Sequence, residues 1–370
     1  MSTTPAEAFR LNNISPKAYE HPADRAATAA LASIPYMDPV VRKLIALGEK
    51  RVRSILLGGS VRLGQEQLPR IWAQHHRAYD VLDIEPLPEL YVMQRAEVNA
   101  LTIGSSSPFV LVFSDAVQLL DEDGLEVVLA HEAGHVLSDH GLYRTALEIL
   151  LLLGRAPMMR FPIAPVIYAL LEWYRASELS SDRAAALVTR DPELVCRTLM
   201  SVGSGLPASE LNLAAFIRQA EEFNQGGDPF DWLSRRTMQL TVTHPMVVNR
   251  TKQLLDWVHS GEYDRIVGGE YMKRGEEPPP RDQTADAMDH YGERFKETFT
   301  DAAKQMEKAG KQVAEWLQTG SDWVRGTATA ASKAARSRKS GEPDDDQVEE
   351  AADDLDFDFG GDDFGDPPTD

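Results

Sequence analysis

The chain has one cysteine, Cys196, in 370 residues. An intramolecular disulfide framework is therefore excluded, and a reducing, cytoplasmic setting is the expectation. Long apolar runs are also missing. The most apolar stretch, residues 146–173, contains Ile149–Leu153 and Phe161–Leu171, but Arg155, Pro157, Arg160, Pro162 and Pro165 break it up. Neither piece reaches the roughly 18 apolar residues that a membrane span requires. Buried helices or a hairpin touching a membrane are expected there instead. Met1–Ser15 has no apolar segment of the secretory kind, so no signal peptide is expected. Bases are absent from Gly341 to Asp370, which holds 14 acids. That tail accounts for most of the net charge of −20; the remainder carries 44 acids against 38 bases. A mildly acidic body with an acidic tail argues against nucleic acid as a partner.

Against these absences stands His131-Glu132-Ala133-Gly134-His135. Residues four apart lie about 400° round a helix, so both imidazoles project from nearly one face and can hold one zinc ion. Glu132, beside the first ligand, can reach a water activated by that metal. The surroundings favour a helix. Phe109–Phe113 is an apolar run suited to a strand, and Asp121-Glu122-Asp123-Gly124 supplies caps, with Asp123 and Glu126 spaced as a capping box. Leu125, Val128, Leu129, Val136 and Leu137 follow at helical spacing, predicting a helix of about 16 residues.

A catalytic zinc needs a third protein ligand and an open position. Glu178 and Asp182, four apart, share a helix face. Glu178 could coordinate zinc, and Asp182 could accept a hydrogen bond from the free nitrogen of a ligand histidine. Taken alone, the pair also fits a solvated helix.

Asn99-Ala100, Asp121 to His140, Glu178-x-x-x-Asp182, Thr243-His244-Pro245 and Arg250 occur in this order between about residues 40 and 260. In these motifs the chain resembles the HtpX-like zinc metallopeptidases, a family that also holds the mitochondrial Oma-type and the CAAX prenyl endopeptidases. The resemblance implies an α+β, mostly helical zincin-like fold with a small sheet beside the active-site helix. It implies one zinc per chain on His131, His135 and Glu178, with Glu132 as base and Asp182 behind a ligand. It also brings His244 toward the cleft and implies a role in protein quality control. Members often surround the site with transmembrane helices, which the broken run at 146–173 does not provide.

Zinc hydrolysis also needs a donor to the oxyanion. His244 is the candidate, with a turn role before Pro245 as the alternative. Arg250 either lies beside it, within reach of substrate, or orients an acid. Asn99 to Ile103 is expected to be an edge strand on which an extended protein or peptide substrate could add by main-chain hydrogen bonds, with Asn99 and Ala100 in contact or else serving the strand end. His140, five beyond His135 and so about 500° round the helix, is expected to point away from the ligand face, as a helix C-terminal residue that favours the macrodipole. His21, His75, His76, His259 and His290 are expected in surface or packing roles.

Residues 1–30 read as a loosely ordered lead-in and 31–270 as the peptidase domain. Helices are expected at 39–58 and 64–80, and a first strand from Leu87. Residues 271–285 read as a Pro-rich linker and 286–325 as an amphipathic helix on Met288, Tyr291, Phe295, Phe299, Met306 and Val313. Residues 326–370 form a low-complexity tail expected to be disordered. Peripheral membrane contact through 146–173 or 288–323 stays open. So does a non-catalytic reading, a zinc-bearing scaffold recruiting partners through 286–370.

Overall fold

The structure, a computed structural model, describes residues 9–32, 41–43, 52–153, 160–225 and 247–277. His244, the helix expected at 286–325 and the acidic tail lie outside the described residues. The fold is α+β and mostly helical, with one four-stranded sheet.

The strands are β1 (Val61–Arg62), β2 (Glu89–Met93), β3 (Ala100–Ile103) and β4 (Phe109–Phe113), in spatial order β1-β2-β4-β3. β2 and β4 are parallel and the outer pairs antiparallel. The sheet thus begins earlier than Leu87, with a two-residue strand whose apolar signal was too short to read. β4, apolar throughout, is buried at every position. β3 is an edge strand, in register Ala100↔Val112 to Ile103↔Phe109.

The helices that build the site are α1 (Pro22–Ala32), α2 (Pro69–Val81), α3 (Ser114–Leu119), α4 (Glu122–Leu137), α5 (His140–Leu153) and α6 (Arg160–Thr189). After α7 (Pro192–Ser204) and α8 (Leu213–Gln225) comes α9 (Val247–His259). α2 starts at Pro69, not at 64; proline suits a first helical turn because its missing N–H has no partner there anyway. α4 spans 16 residues, but its cap is Asp121, whose side chain accepts from the Gly124 N–H, rather than Asp123.

α4 is buried on two sides. Leu125 and Leu129 pack under the sheet with Leu90, Val110 and Val112. Val127, Ala130 and Ala133 face Ala184–Val188 of α6, with Trp257 of α9 in the same cluster. Gly134 sets the α4–α6 approach. A Cβ there would stand 2.7 Å from the Ala184 Cβ and 3.1 Å from the Ser181 Cα.

Residues 9–32 are no loose lead-in. Leu11, Ile14 and Tyr19 are fully buried, and the Tyr19 hydroxyl lies 3.2 Å from Ser138 Oγ at the end of α4. The first seven residues of the expected linker are anchored too. Lys273 bridges to Ile14, the Ser15 N–H donates to Met272 O, and Arg274 donates from its side chain to Ile14 O. Residues 146–173 lie on α5 and α6, apart from 154–159, which are outside the description. Among the described residues no helix is long and apolar enough to cross a membrane.

Candidate metal centre

α4 presents His131 and His135 on one face, and α6, held close by Gly134, brings Glu178 opposite them. His131 Nε2 and His135 Nε2 are 3.1 Å apart. Glu178 Oε1 is 3.3 Å from His135 Nε2, and Oε2 is 3.5 Å from His131 Nε2. Ligand atoms about 2.0–2.2 Å from a tetrahedral zinc stand about 3.3–3.6 Å from one another, so the triangle has the size of one zinc face. Glu178 Oε2 is buried with no hydrogen bond of its own, though Arg250 Nη1 stands 2.9 Å away as an ionic partner. Two imidazoles and a carboxylate are the donor types zinc takes at catalytic sites. The residues present therefore fit the metal. The His131 side chain keeps 13% of its exposure against 4% for His135 and 3% for Glu178, so the centre opens on the His131 side.

Charges around the centre are arranged for a cation. Burial lowers the proton affinity of both histidines. At His131, hydrogen bonds donated to the Asp182 and Glu178 carboxylates overcome it, raising the pKa to about 9; at His135 burial prevails, lowering it to about 3. Burial also opposes ionisation of Glu178, but Arg250 and the two histidines hold it well below the usual carboxylate range. The field that keeps one proton on His131 is the field a divalent ion would meet.

Asp182 lies one turn beyond Glu178, and its Oδ1 is 3.1 Å from His131 Nδ1. Arg250 on α9 clamps it from behind, Nε donating to Oδ2 at 2.7 Å and Nη2 to Oδ1 at 2.6 Å. Arg250 is 5% exposed and points into this network. Of the two placements expected for it, this geometry matches the one beside an acid: its guanidinium meets the Asp182 and Glu178 carboxylates.

Glu132 is buried, and Thr102 Oγ1 on β3 donates to its Oε2 at 2.7 Å. Burial raises its pKa, opposed by His131 and by the Thr102 hydrogen bond. The Thr102 link was not read from the sequence; its only signal was a hydroxyl residue within the strand beside the helix.

Asn99 and Ala100 sit at the start of β3. Asn99 Nδ2 donates to Glu97 at 2.8 Å, and Asn99 Oδ1 accepts from the Ala100 N–H at 2.7 Å. Both groups thus organise the strand end. Asn99 O accepts from Phe113 N, so by antiparallel alternation Thr102 turns its main-chain N–H and C=O toward the outer edge.

His140 departs furthest from expectation. α4 ends at Leu137, and Asp139 takes a left-handed φ of 51° that reverses the chain. His140 therefore folds back, 2% exposed, with Nδ1 2.9 Å from His135 Nδ1. Ser-Asp-His-Gly was the available signal, since Asp tolerates that conformation at a helix end. His75 is fully buried as a packing residue.

A zinc-type donor triangle with an adjacent carboxylate, on two helices beside an edge strand, is the constellation that a metallopeptidase requires. Comparison with known proteins makes the class specific. Residues 65–258 match peptidase family M48, and the chain belongs to that family. It is 35% identical over 259 residues to the plastoglobule-localized metallopeptidase 48, chloroplastic, of Arabidopsis thaliana, covering 67% of this chain and 74% of the relative. An HtpX protease homolog of Tropheryma whipplei is 29% identical over 85 residues, 22% of this chain and 29% of that protein. No solved structure matches. The chain is thus a metal-dependent protease of the HtpX-like group.

Proposed function

We propose that the protein is a zinc metalloendopeptidase acting on extended or unfolded protein segments. The observation that carries this reading is the convergence of His131, His135 and Glu178 within 3.5 Å, with the Glu132 carboxylate held beside them by Thr102. One zinc bound by that triad would supply the Lewis acidity that makes a water nucleophilic near neutral pH and polarises the scissile carbonyl. Glu132 takes the proton as the water attacks and returns it to the leaving amine. Burial suits Glu132 to this exchange, because a raised pKa brings a carboxylate nearer the operating pH. Asp182 accepts from His131 Nδ1–H and leaves Nε2 free to bind. Arg250 keeps Asp182 ionised and in place. His244 is assigned as the oxyanion donor.

Among the described residues no strand pairs with the outer edge of β3, and an extended substrate adding there would use main-chain bonds that are indifferent to side chains. That substrate class fits a part in protein quality control. In the test, zinc-loaded Glu132→Gln should keep fold and metal yet cleave an unfolded protein at least about a hundredfold more slowly, the usual scale of acid–base catalysis. Cleavage at the wild-type rate would overturn the mechanism.

The relative named for plastoglobules favours an additional property, peripheral contact with a lipid surface through 146–173 or 288–323. Flotation of the full chain with liposomes checks it, and a chain that stays at the bottom of the gradient contradicts it.

A further inference from the structure

Metal binding and Asp182 account for the outer side of the centre and leave the inner nitrogen of His135 to be explained. His135 Nδ1 faces His140 Nδ1 at 2.9 Å, and His140 Nε2 faces Asp24 Oδ2 at 2.9 Å. Asp24 comes from α1, outside residues 65–258 that match the family. It is fully buried, as is Ser180, and His140 is 2% exposed.

The placement of protons along this chain follows from its ends. Asp24 receives Ser180 Oγ at 2.6 Å on Oδ2 and Thr28 Oγ1 at 3.1 Å on Oδ1, so it is surrounded by donors and acts as an acceptor. His140 Nε2 must then carry a hydrogen toward Asp24. An imidazole whose one hydrogen is on Nε2 has its lone pair on Nδ1. Two nitrogens 2.9 Å apart need one hydrogen between them, so His135 supplies it from Nδ1. His135 Nε2 is left as a lone pair, directed at His131 and Glu178.

A second cation among Glu20, Asp24 and His140 fits less well, although their ligand atoms lie together. Lys17 Nζ stands 2.7 Å from Glu20 Oε2, and the Asp24 oxygens are taken by donors. Trp173 meets His140 edge-on at 5.7 Å and donates to Thr28 Oγ1, walling the relay from water.

We infer that Asp24 and His140 are positioning residues that fix His135 as the Nδ1–H tautomer, so that Nε2 is permanently presented to the metal. The inference rests on the zinc reading above. Each ligand histidine then has a carboxylate behind it, Asp182 directly and Asp24 through an intervening imidazole, and the N-terminal segment becomes part of the centre.

The test uses the full chain, ¹⁵N-labelled and loaded with zinc, in a long-range histidine ¹H–¹⁵N spectrum. Hydrogen on His140 Nε2 and His135 Nδ1, with His135 Nε2 metal-shifted, is the expected result. Hydrogen on His140 Nδ1 overturns the inference. Zinc affinity by chelator competition gives an independent readout. His140→Leu, which can neither donate nor accept, should lose about 10–100-fold, the usual effect of removing a ligand's partner. His140→Gln retains a donor and an acceptor and should recover most of that. Equal losses in two folded variants would overturn the relay; if the leucine variant does not fold, the wild-type spectrum decides. One zinc bound with the opposite tautomer removes the relay and leaves the peptidase reading intact, whereas a folded wild type that binds no zinc removes both.

Discussion

Replacing Arg250 by leucine tests the electrostatic frame of the centre. The guanidinium makes two hydrogen bonds to Asp182, at 2.7 and 2.6 Å, and stands 2.9 Å from Glu178. All three residues are at most 5% exposed, so water cannot replace what is removed. Losing the cation leaves Asp182 with His131 alone and brings two buried carboxylates face to face with no permanent positive charge. Breaking a buried pair by removing one partner costs about 3–5 kcal/mol. Two charge-assisted bonds at about 1.5–3 kcal/mol each give the same range. Against a total stability of about 5–15 kcal/mol this is at least about a fifth. Urea unfolding of the metal-free protein, with chelator present, should show that loss for Arg250→Leu. Arg250→Lys, which keeps the charge and loses the fork, should lose roughly half as much. A change within about 0.5 kcal/mol, the range of ordinary surface substitutions, would refute the reasoning, and a raised KM at wild-type stability would return Arg250 to the substrate.

Gly134→Ala should gain about 1 kcal/mol of helix propensity and lose about 1–3 kcal/mol to overpacking, because its Cβ would meet Ala184 at 2.7 Å. Zinc affinity should fall as α6 moves Glu178 away, and the double variant Gly134→Ala/Ala184→Gly should regain it in chelator competition; no recovery would remove the contact from the account. His75 is fully buried, with Nε2 on Pro88 O and no partner at Nδ1, and burial lowers its pKa from 6.5 to about 4. The unfolded chain then takes the proton first, so stability falls between pH 6.5 and about 4, by about 3 kcal/mol at 1.36 kcal/mol per unit. Unfolding midpoints from pH 7 to 4.5 should flatten in His75→Leu, and an unchanged slope would contradict the assignment.

The parts of the centre carried by local spacing were legible in the sequence. The four-residue intervals of His131–His135 and Glu178–Asp182 need only a helix, and the apolar run of β4 announces a buried strand. What escaped depends on chain reversal or distance. His140 reached His135 because Asp139 adopts a left-handed turn, which helical periodicity alone extrapolates past. Its partner Asp24 is 116 residues away. Arg250 sits 68 residues from the Asp182 it clamps, so its target was not fixed by spacing. Leu11, Ile14 and Tyr19 are too sparse to form a periodic pattern, and their burial is purely tertiary.

The central claim is that three side chains of this chain hold one zinc. The direct measurement is zinc per chain after reconstitution and removal of excess metal, in the wild type and in Glu178→Ala, with folding followed by circular dichroism. The account predicts one zinc in the wild type and greatly weakened binding in the variant at unchanged helical content. A folded wild type with no zinc, or a variant that binds as tightly as the wild type, would contradict it.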